Sequence, residues 1–289
     1  MRLLRGLAIL SLVCTNLQAA TPEQLFAAGK QALIQNDAEK AVDLLEQAVD
    51  LRPNNSEYHF WLGRAYGTLA QNASIFRQPF LAGKTKTQFE RAVELDPNNN
   101  DARFGLISFY LIAPSIAGGS EEKAIRQATE IRKRDALDGH RAFARIYSSQ
   151  KKPDLARKEY LDAVREQPAS PNAHCLMATV WMSEKKWKEA LDELDTSLKL
   201  DAAYMPAFFR IGQLAVLASD GYTRGEESLR KYLGWRPGEQ DPPLYRAWYW
   251  LGQIYEKQGR KADAKQCYAA SLKLNPSQKD VSEALKRFP

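Results

Sequence analysis

Residues 248–276 read WYWLGQIYEKQGRKADAKQCYAASLKLNP and carry the pattern that organises the whole chain. Aromatic residues, leucine, glycine and alanine recur there three and four residues apart, which is the spacing of one face of an α-helix. The proline at the end is typical of a helix terminus, because the residue before a proline avoids the helical region. The stretch therefore predicts two consecutive amphipathic helices. Its anchor positions are Trp248, Leu251, Gly252, Tyr255, Ala264, Tyr268 and Pro276.

The same pattern returns along the chain at a regular interval. Gly29 and Gly63 are 34 residues apart, and so are Tyr147 and Trp181. Small residues at such positions let two helices cross closely, while larger apolar residues fill the space between them. Further matches are Leu25, Ala41, Leu45 and Pro53, then Leu62, Tyr66, Phe89 and Pro97, then Ala156, Tyr160 and Pro168, and Ala190. Two looser copies surround Gly105 and Gly212.

These tandem copies resemble the tetratricopeptide repeat family, whose motif carries an aromatic residue, Leu-Gly and Tyr on a first helix and Ala, an aromatic residue and Pro around a second. The resemblance implies an all-α, right-handed α–α superhelical solenoid of about seven helix pairs over residues 21–278. Each pair buries its apolar face only by stacking on its neighbours. Residues 279–289 are expected to form a capping helix, since Val281, Leu285 and Phe288 fall at i, i+4 and i+7.

Residues 1–20 have the three parts of a cleavable secretory signal peptide. Arg2 and Arg5 give a cationic start, an apolar run follows, and the segment ends in two alanines. The apolar run is too short to span a bilayer as an anchor. We therefore expect cleavage near Ala20, export, and a periplasmic location for the mature chain.

Three cysteines bear on anchoring, bridging and metal binding. Lipid attachment at Cys14 is disfavoured, because Val13 stands where bacterial lipoprotein signals have a small residue. Cys175 and Cys267 fall 92 residues apart on different predicted helices, which favours two buried free thiols over a disulfide. No closely spaced cysteine and histidine set is present in the sequence, so neither a structural zinc site nor a cofactor is expected.

Two segments are longer than the motif requires and predict extended loops between paired helices, at 72–87 and at 113–120. Both contain a similar short string, PFLAG at 79–83 and PSIAG at 114–118. We expect the Leu81 and Ile116 side chains to be shielded from water and to hold these loops against the neighbouring helices. Long loops also collect binding residues, which is the alternative interpretation.

Charge and motif content exclude several classes of function. Lysine and arginine number 41 against 35 acidic residues, and this small excess does not indicate nucleic-acid binding. Past residue 20 the sequence contains no apolar stretch long enough for a stable membrane span. GKT at 83–85 lacks the earlier glycine of a phosphate-binding loop, and His59, His140 and His174 have no metalloprotease spacing. No catalytic set emerges, so we do not expect an enzyme.

The family resemblance also implies where a partner would bind. In that family the inner face of the superhelix is built mostly from the first helix of each repeat. Carried onto this chain, the inward residues are Phe26, Lys30, Phe60, Arg64, Phe109, Tyr110, Arg141 and Arg145. Cations among aromatic side chains suit an extended, acidic peptide. Alternatively, several of them pack against neighbouring helices or pair with acidic side chains.

The resulting functional hypothesis is an exported, non-catalytic scaffold that binds a peptide or protein partner in its concave groove. This step rests on analogy with the family. One alternative is an envelope assembly factor that contacts polysaccharide or peptidoglycan through exposed aromatic rings. Another is an enzyme whose site has no familiar motif. The sequence does not specify the partner or the oligomeric state.

Overall fold

The computed structural model describes residues 20–288, which form α-helices and connecting turns without a β-strand in that range. Helices α1 to α14 make consecutive pairs, and α15 follows them, which confirms the all-α solenoid and its final helix. The helices are α1 (Pro22–Ile34), α2 (Ala38–Leu51), α3 (Ser56–Asn72), α4 (Gln78–Leu95), α5 (Asn100–Ile112), α6 (Glu121–Arg134), α7 (Ala136–Ser149), α8 (Pro153–Glu166), α9 (Pro171–Ser183), α10 (Trp187–Leu200), α11 (Met205–Ala218), α12 (Tyr222–Leu233), α13 (Leu244–Lys257), α14 (Lys261–Leu274) and α15 (Lys279–Lys286).

Polar residues in the short connections begin the first helix of several pairs. The Thr21 side chain accepts a hydrogen bond from the Gln24 backbone N–H, and the Gln24 side chain accepts one from the Thr21 N–H. The Asn55 and Asn99 side chains cap α3 and α5 by accepting hydrogen bonds from the backbone N–H groups of Tyr58 and Ala102. These contacts satisfy backbone donors that a helix start leaves without a partner. The Asn-rich turns of the sequence thus mark where the second and third pairs begin.

Glycine and a large apolar residue meet where the two helices of a pair cross. A Cβ atom placed on Gly252 in α13 would lie 2.6 Å from Cε1 of Tyr268 in α14. The equivalent distance from Gly63 to Cδ1 of Phe89 is 2.7 Å. Such separations leave no room for a methyl group, so the repeated glycine is explained by the close approach of the two helices.

The stack curves so that the first helix of each pair lies inside. Helices α1, α3, α5 and α7 contact one another in succession, as do α9, α11 and α13. Within residues 20–288 no second helix contacts another second helix to the same extent. Inner helices that approach more closely than outer ones produce a concave face. This face is the expected groove.

Helix α15 covers the apolar end of the last pair. Val281 and Ala284 are buried, and Leu285 and Phe288 pack against the same cluster. The Phe288 ring lies 6.0 Å from that of Tyr268. These contacts agree with the expected role of the C-terminal segment as a cap.

The segment at 72–87 differs from its prediction as a loop. Helix α3 continues to Asn72 and α4 begins at Gln78, so the additional residues lengthen both helices and leave a short connection. Leu81 lies in α4 with 3% exposure and packs in the core, as expected.

The segment at 113–120 is a connection, but the expected shielding of Ile116 is wrong, because its side chain is 97% exposed. Backbone hydrogen bonds hold this turn together: Ala117 N–H donates to the Pro114 carbonyl at 2.8 Å, and Ser120 N–H donates to the Tyr110 carbonyl at 3.0 Å. Because the backbone closes the turn, no apolar side chain has to anchor it.

The predicted signal peptide and Cys14 lie outside the described residues, apart from Ala20. Cys175 and Cys267 are both buried thiols, as expected. Burial raises the pKa of Cys175 to about 11. None of the helices within residues 20–288 combines the length and the apolar character needed to cross a bilayer.

Candidate binding groove

The inner helices bring the four predicted cations to one concave face. Lys30 comes from α1, Arg64 from α3, and Arg141 and Arg145 from one side of α7. Residues 141 and 145 are one helical turn apart, so their side chains share a face. The structure therefore places these four residues on inner helices of the first four pairs.

The side chains of Lys30 and Arg64 both lie against the ring of Trp61. The Lys30 ammonium lies 4.6 Å from the ring centre, and the Arg64 guanidinium lies 4.1 Å from it. Cations over an aromatic face are stabilised by the negative potential of the ring. Burial lowers the pKa of Lys30, and the positive charge of Arg64 lowers it further. The Trp61 ring is only 7% exposed, so it supports these two cations from the core and does not line the groove itself.

Arg141 and Arg145 line a pocket of about 490 Å³ further along the groove. Arg141 lies 5.3 Å from the ring centre of Phe104 and forms an ion pair of 2.6 Å with Asp138. Arg145 faces the same space as the Tyr160 side chain. The complete lining is Asp101, Phe104, Arg141, Arg145, Ser148, Tyr160 and Gln240.

The Arg64 and Arg145 side chains are both exposed to solvent on the concave face. Burial in the groove lowers the pKa of both guanidinium groups, and Asp101 opposes this effect at Arg64. Both remain charged, since an arginine side chain does not lose its proton in a protein. A partly desolvated cation in a concave surface gains more from a bound carboxylate than an outer one does.

The predicted aromatic residues divide into two groups. Phe26 and Phe60 are half-buried beside Trp61, with ring centres 6.4 Å and 5.8 Å from it. Phe109 and Tyr110 are only 8% and 6% exposed and belong to the core, so their assignment to the groove is wrong.

The aromatic side chain that α5 presents to the groove is Phe104. Five residues along a helix turn a side chain by about 140°, which directs Phe109 away from the face that Phe104 occupies. The third repeat matches the motif loosely, so its sequence did not show which residues of α5 face inward, and Phe109 and Tyr110 were assigned to the groove in place of Phe104.

The groove continues into the second half of the chain. Arg210 in α11 lies 5.7 Å from the ring centre of Phe209 and donates a hydrogen bond to Gln213 at 2.8 Å. Burial raises the pKa of the Tyr204 hydroxyl, which lies within electrostatic reach of both Arg141 and Arg210. Arg210 thus extends the cationic character of the inner wall into the second half of the chain, whereas the Phe209 ring is buried in the core.

The histidines serve packing between helices. His59 Nε2 lies 2.9 Å from the Pro53 carbonyl, and its Nδ1 lies 2.6 Å from Gln88. His174 repeats this arrangement with the Pro168 carbonyl and Glu193. Each ring therefore links the end of one pair to the second helix of the next. Across residues 20–288, no cluster of three or more histidine, cysteine or acidic side chains has the arrangement of a metal site.

Two segments of the chain match family models. Residues 245–278 match the model described as "Tetratricopeptide repeat", and residues 29–69 match the model described as "TPR repeat". The first segment contains all of α13 except Leu244 and the whole of α14, and the second contains the end of α1, all of α2 and most of α3.

Curated relatives share part of the chain. Anaphase-promoting complex subunit 3 of Schizosaccharomyces pombe is 25% identical over 116 residues, which is 40% of this chain and 16% of that protein. The general transcriptional corepressor ssn6 of the same organism is 25% identical over 130 residues, covering 45% of this chain and 11% of the relative. The matched region is thus a small part of these much longer proteins.

Solved structures extend the likeness to most of the chain. Yeast Tom70 superposes with a TM-score of 0.68 at 16% identity, over 92% of this chain and 52% of Tom70. A tetratricopeptide repeat protein from Parabacteroides merdae gives a TM-score of 0.52 at 14% identity, over 92% of this chain and 97% of its own. At this level of identity the likeness concerns the fold.

Proposed function

Because this chain is a tetratricopeptide repeat protein, we propose that it is a non-catalytic interaction scaffold that binds an acidic, extended peptide of a partner protein in its concave groove. The partner's carboxylates contact Arg64, Arg141 and Arg145. The half-buried rings between these cations supply apolar contact area.

One observation supports this proposal most strongly. Arg64 and Arg145 form no ion pair with any residue in 20–288, although they lie in a partly desolvated groove. Several cations on the second helices are instead paired within their own helix. Lys158 and Lys188, for example, pair with an aspartate one turn away at 3.0 Å and 2.6 Å. Two unpaired guanidinium groups in the groove are free to form bidentate contacts with carboxylates.

The proposal is tested by reversing the groove charges. The variant Arg64→Glu, Arg141→Glu and Arg145→Glu is compared with the wild-type chain by fluorescence anisotropy. The probe is a short labelled peptide with glutamate at alternate positions and tyrosine between them. Loss of several charged hydrogen bonds is expected to weaken binding by at least about 100-fold.

A matched control carries the same change of net charge on the outer surface, at Arg126, Lys158 and Lys188 in α6, α8 and α10. Its affinity should stay within about threefold of the wild type, since exposed pairs contribute little and are screened by salt. Circular dichroism verifies that both variants remain helical. Equal binding by the wild type and the groove variant would place the site elsewhere.

We further propose that the mature scaffold is exported to the periplasm. The support is the cationic, apolar and small-residue pattern of residues 1–20. Mass spectrometry of protein recovered from the envelope of a bacterial host should find an N-terminus at or next to Ala20. An intact Met1 form that stays in the cytosol would contradict this proposal.

A further inference from the structure

The loop formed by residues 234–243 reaches across the concave face. It joins α12 to α13 and is the longest connection between helices in residues 20–288. Its Glu239 carboxylate pairs with the Lys30 ammonium, 209 residues away in the chain. The Gln240 side-chain amide donates a hydrogen bond to Asp101, 139 residues away. The loop therefore contacts two inner helices of the first half, α1 and α5.

The loop is held in shape by its own contacts. The Trp235 ring packs edge-on against Tyr232, with ring centres 5.5 Å apart, and the Tyr232 hydroxyl donates a hydrogen bond to the Pro242 carbonyl. Gly238 N–H donates to the Asp241 carboxylate at 2.9 Å, and Asp241 N–H donates to the Gly238 carbonyl at 3.2 Å. These bonds close a turn that presents Glu239 and Gln240 at its tip. Loss of conformational entropy on docking is therefore small.

The tip lies in the groove proposed for the partner. Gln240 lines the same pocket as Arg141 and Arg145. Asp241 lies near enough to Tyr204, at the start of α11, to contribute to the raised pKa of its hydroxyl. The loop thus brings an acidic and amide-bearing sequence, Glu239-Gln240-Asp241, into a cationic groove. This is the chemistry expected of the partner.

We propose that the 234–243 loop is an internal ligand of the groove, and that a partner binds by displacing its Glu239-Gln240 tip. This inference rests on the proposed function. The partner presents a carboxylate to Lys30, and its further carboxylates contact Arg64 and Arg145.

Displacement is favoured because the loop leaves some of the cations in the groove without an acidic partner. Arg64 and Arg145 keep no ion pair within residues 20–288 while the loop is in place. The Lys30 and Glu239 side chains are 22% and 54% exposed, so their pair is accessible to water and weak. A peptide that supplies carboxylates to all three cations replaces a weak contact with several stronger ones.

The position of the loop is tested by zero-length cross-linking of the intact chain with a carbodiimide. This reagent joins an amine and a carboxylate that are in contact, and mass spectrometry should find an amide between Lys30 and Glu239. A second product between Lys30 and Glu57, 3.9 Å apart, is a local reference. The Lys188–Asp192 pair in α10 is a reference outside the groove.

The displacement is tested by adding the glutamate-tyrosine peptide. A bound peptide should reduce the Lys30–Glu239 product and leave the Lys188–Asp192 product unchanged. The variant Glu239→Ala and Gln240→Ala should bind the peptide about threefold to thirtyfold more tightly than the wild type, because the competing state is removed. The control Glu57→Ala removes a carboxylate near the same ammonium and leaves the loop intact, so its effect should be smaller.

The outcomes separate the two proposals. Absence of the Lys30–Glu239 product would overturn the internal ligand, even if the peptide binds. Binding of the peptide without any loss of that product, or with equal affinity for the wild type and the loop variant, would also overturn it while leaving the proposed function intact. If neither chain binds the peptide although the product forms, the proposed function fails and displacement by an acidic partner is overturned with it.

Discussion

Replacing Gly252 by alanine tests the close helix crossing on which the fold depends. The new methyl group would lie 2.6 Å from Cε1 of Tyr268, whose ring is fully buried. The ring is also held in place, since its hydroxyl donates to Glu256 at 2.6 Å and accepts from Gln253 at 2.7 Å. The ring therefore cannot move aside without breaking these hydrogen bonds.

The expected magnitude follows from two opposing effects. Alanine is favoured over glycine in a helix by about 1 kcal/mol, whereas overpacking a well-filled core costs about 1–3 kcal/mol. Because the ring is anchored, we expect an overpacking cost near the upper end of that range. After the gain in helix propensity is subtracted, the free energy of unfolding should fall by about 1–2 kcal/mol. Gly83→Ala is the matched control, because nothing lies within 4 Å of the added atom in α4. This control should stabilise the chain by about 0.5–1 kcal/mol.

The two substitutions are compared by urea denaturation followed by circular dichroism. Because a solenoid can unfold in parts, hydrogen exchange of α13 and α14 accompanies the global measurement. Gly252→Ala should increase exchange in these two helices. If it stabilises the chain as much as Gly83→Ala does, the helices do not cross as closely as described, and the explanation of the repeated glycine is wrong.

Three further predictions concern the segments that differ from a standard repeat. Leu81→Asp should destabilise the chain by about 3–5 kcal/mol, because it buries an unpaired charge in the core. Ile116→Asp should change stability by less than about 0.5 kcal/mol, and equal losses in thermal melts would contradict the different burial of the two side chains. Deleting residues 279–289 should cost about 2–4 kcal/mol and promote aggregation, since it uncovers the apolar face that Val281 and Ala284 protect. A truncated chain that remains monomeric by light scattering, with unchanged stability, would argue against the cap.

The helix pairs could be predicted because their determinants are local and repeat. Glycine, a large apolar residue and proline recur at a fixed spacing, and each has a direct structural consequence at its own position. The same spacing placed Lys30, Arg64, Arg141 and Arg145 on inner helices, where the structure has them.

Two kinds of feature could not be predicted in this way. The assignment of Phe109 and Tyr110 failed because the third repeat has few anchors, and a register error of a few residues changes the face of a helix that a side chain occupies. Phe104 was accordingly missed. The contact between Glu239 and Lys30 depends on the curvature of the whole stack. Curvature accumulates over many helix pairs, so no local sequence pattern in residues 234–243 predicts that contact.

A charge swap tests most directly the claim that the concave groove binds an acidic peptide. The affinities of the glutamate-tyrosine peptide and of a matched lysine-tyrosine peptide are measured for the wild type and for the variant Arg64→Glu, Arg141→Glu and Arg145→Glu. The wild type should prefer the glutamate peptide, and the variant should prefer the lysine peptide, with the difference reduced at high salt. Because the variant is expected to gain a ligand, general misfolding cannot imitate this result. A variant that keeps the preference of the wild type would contradict the account.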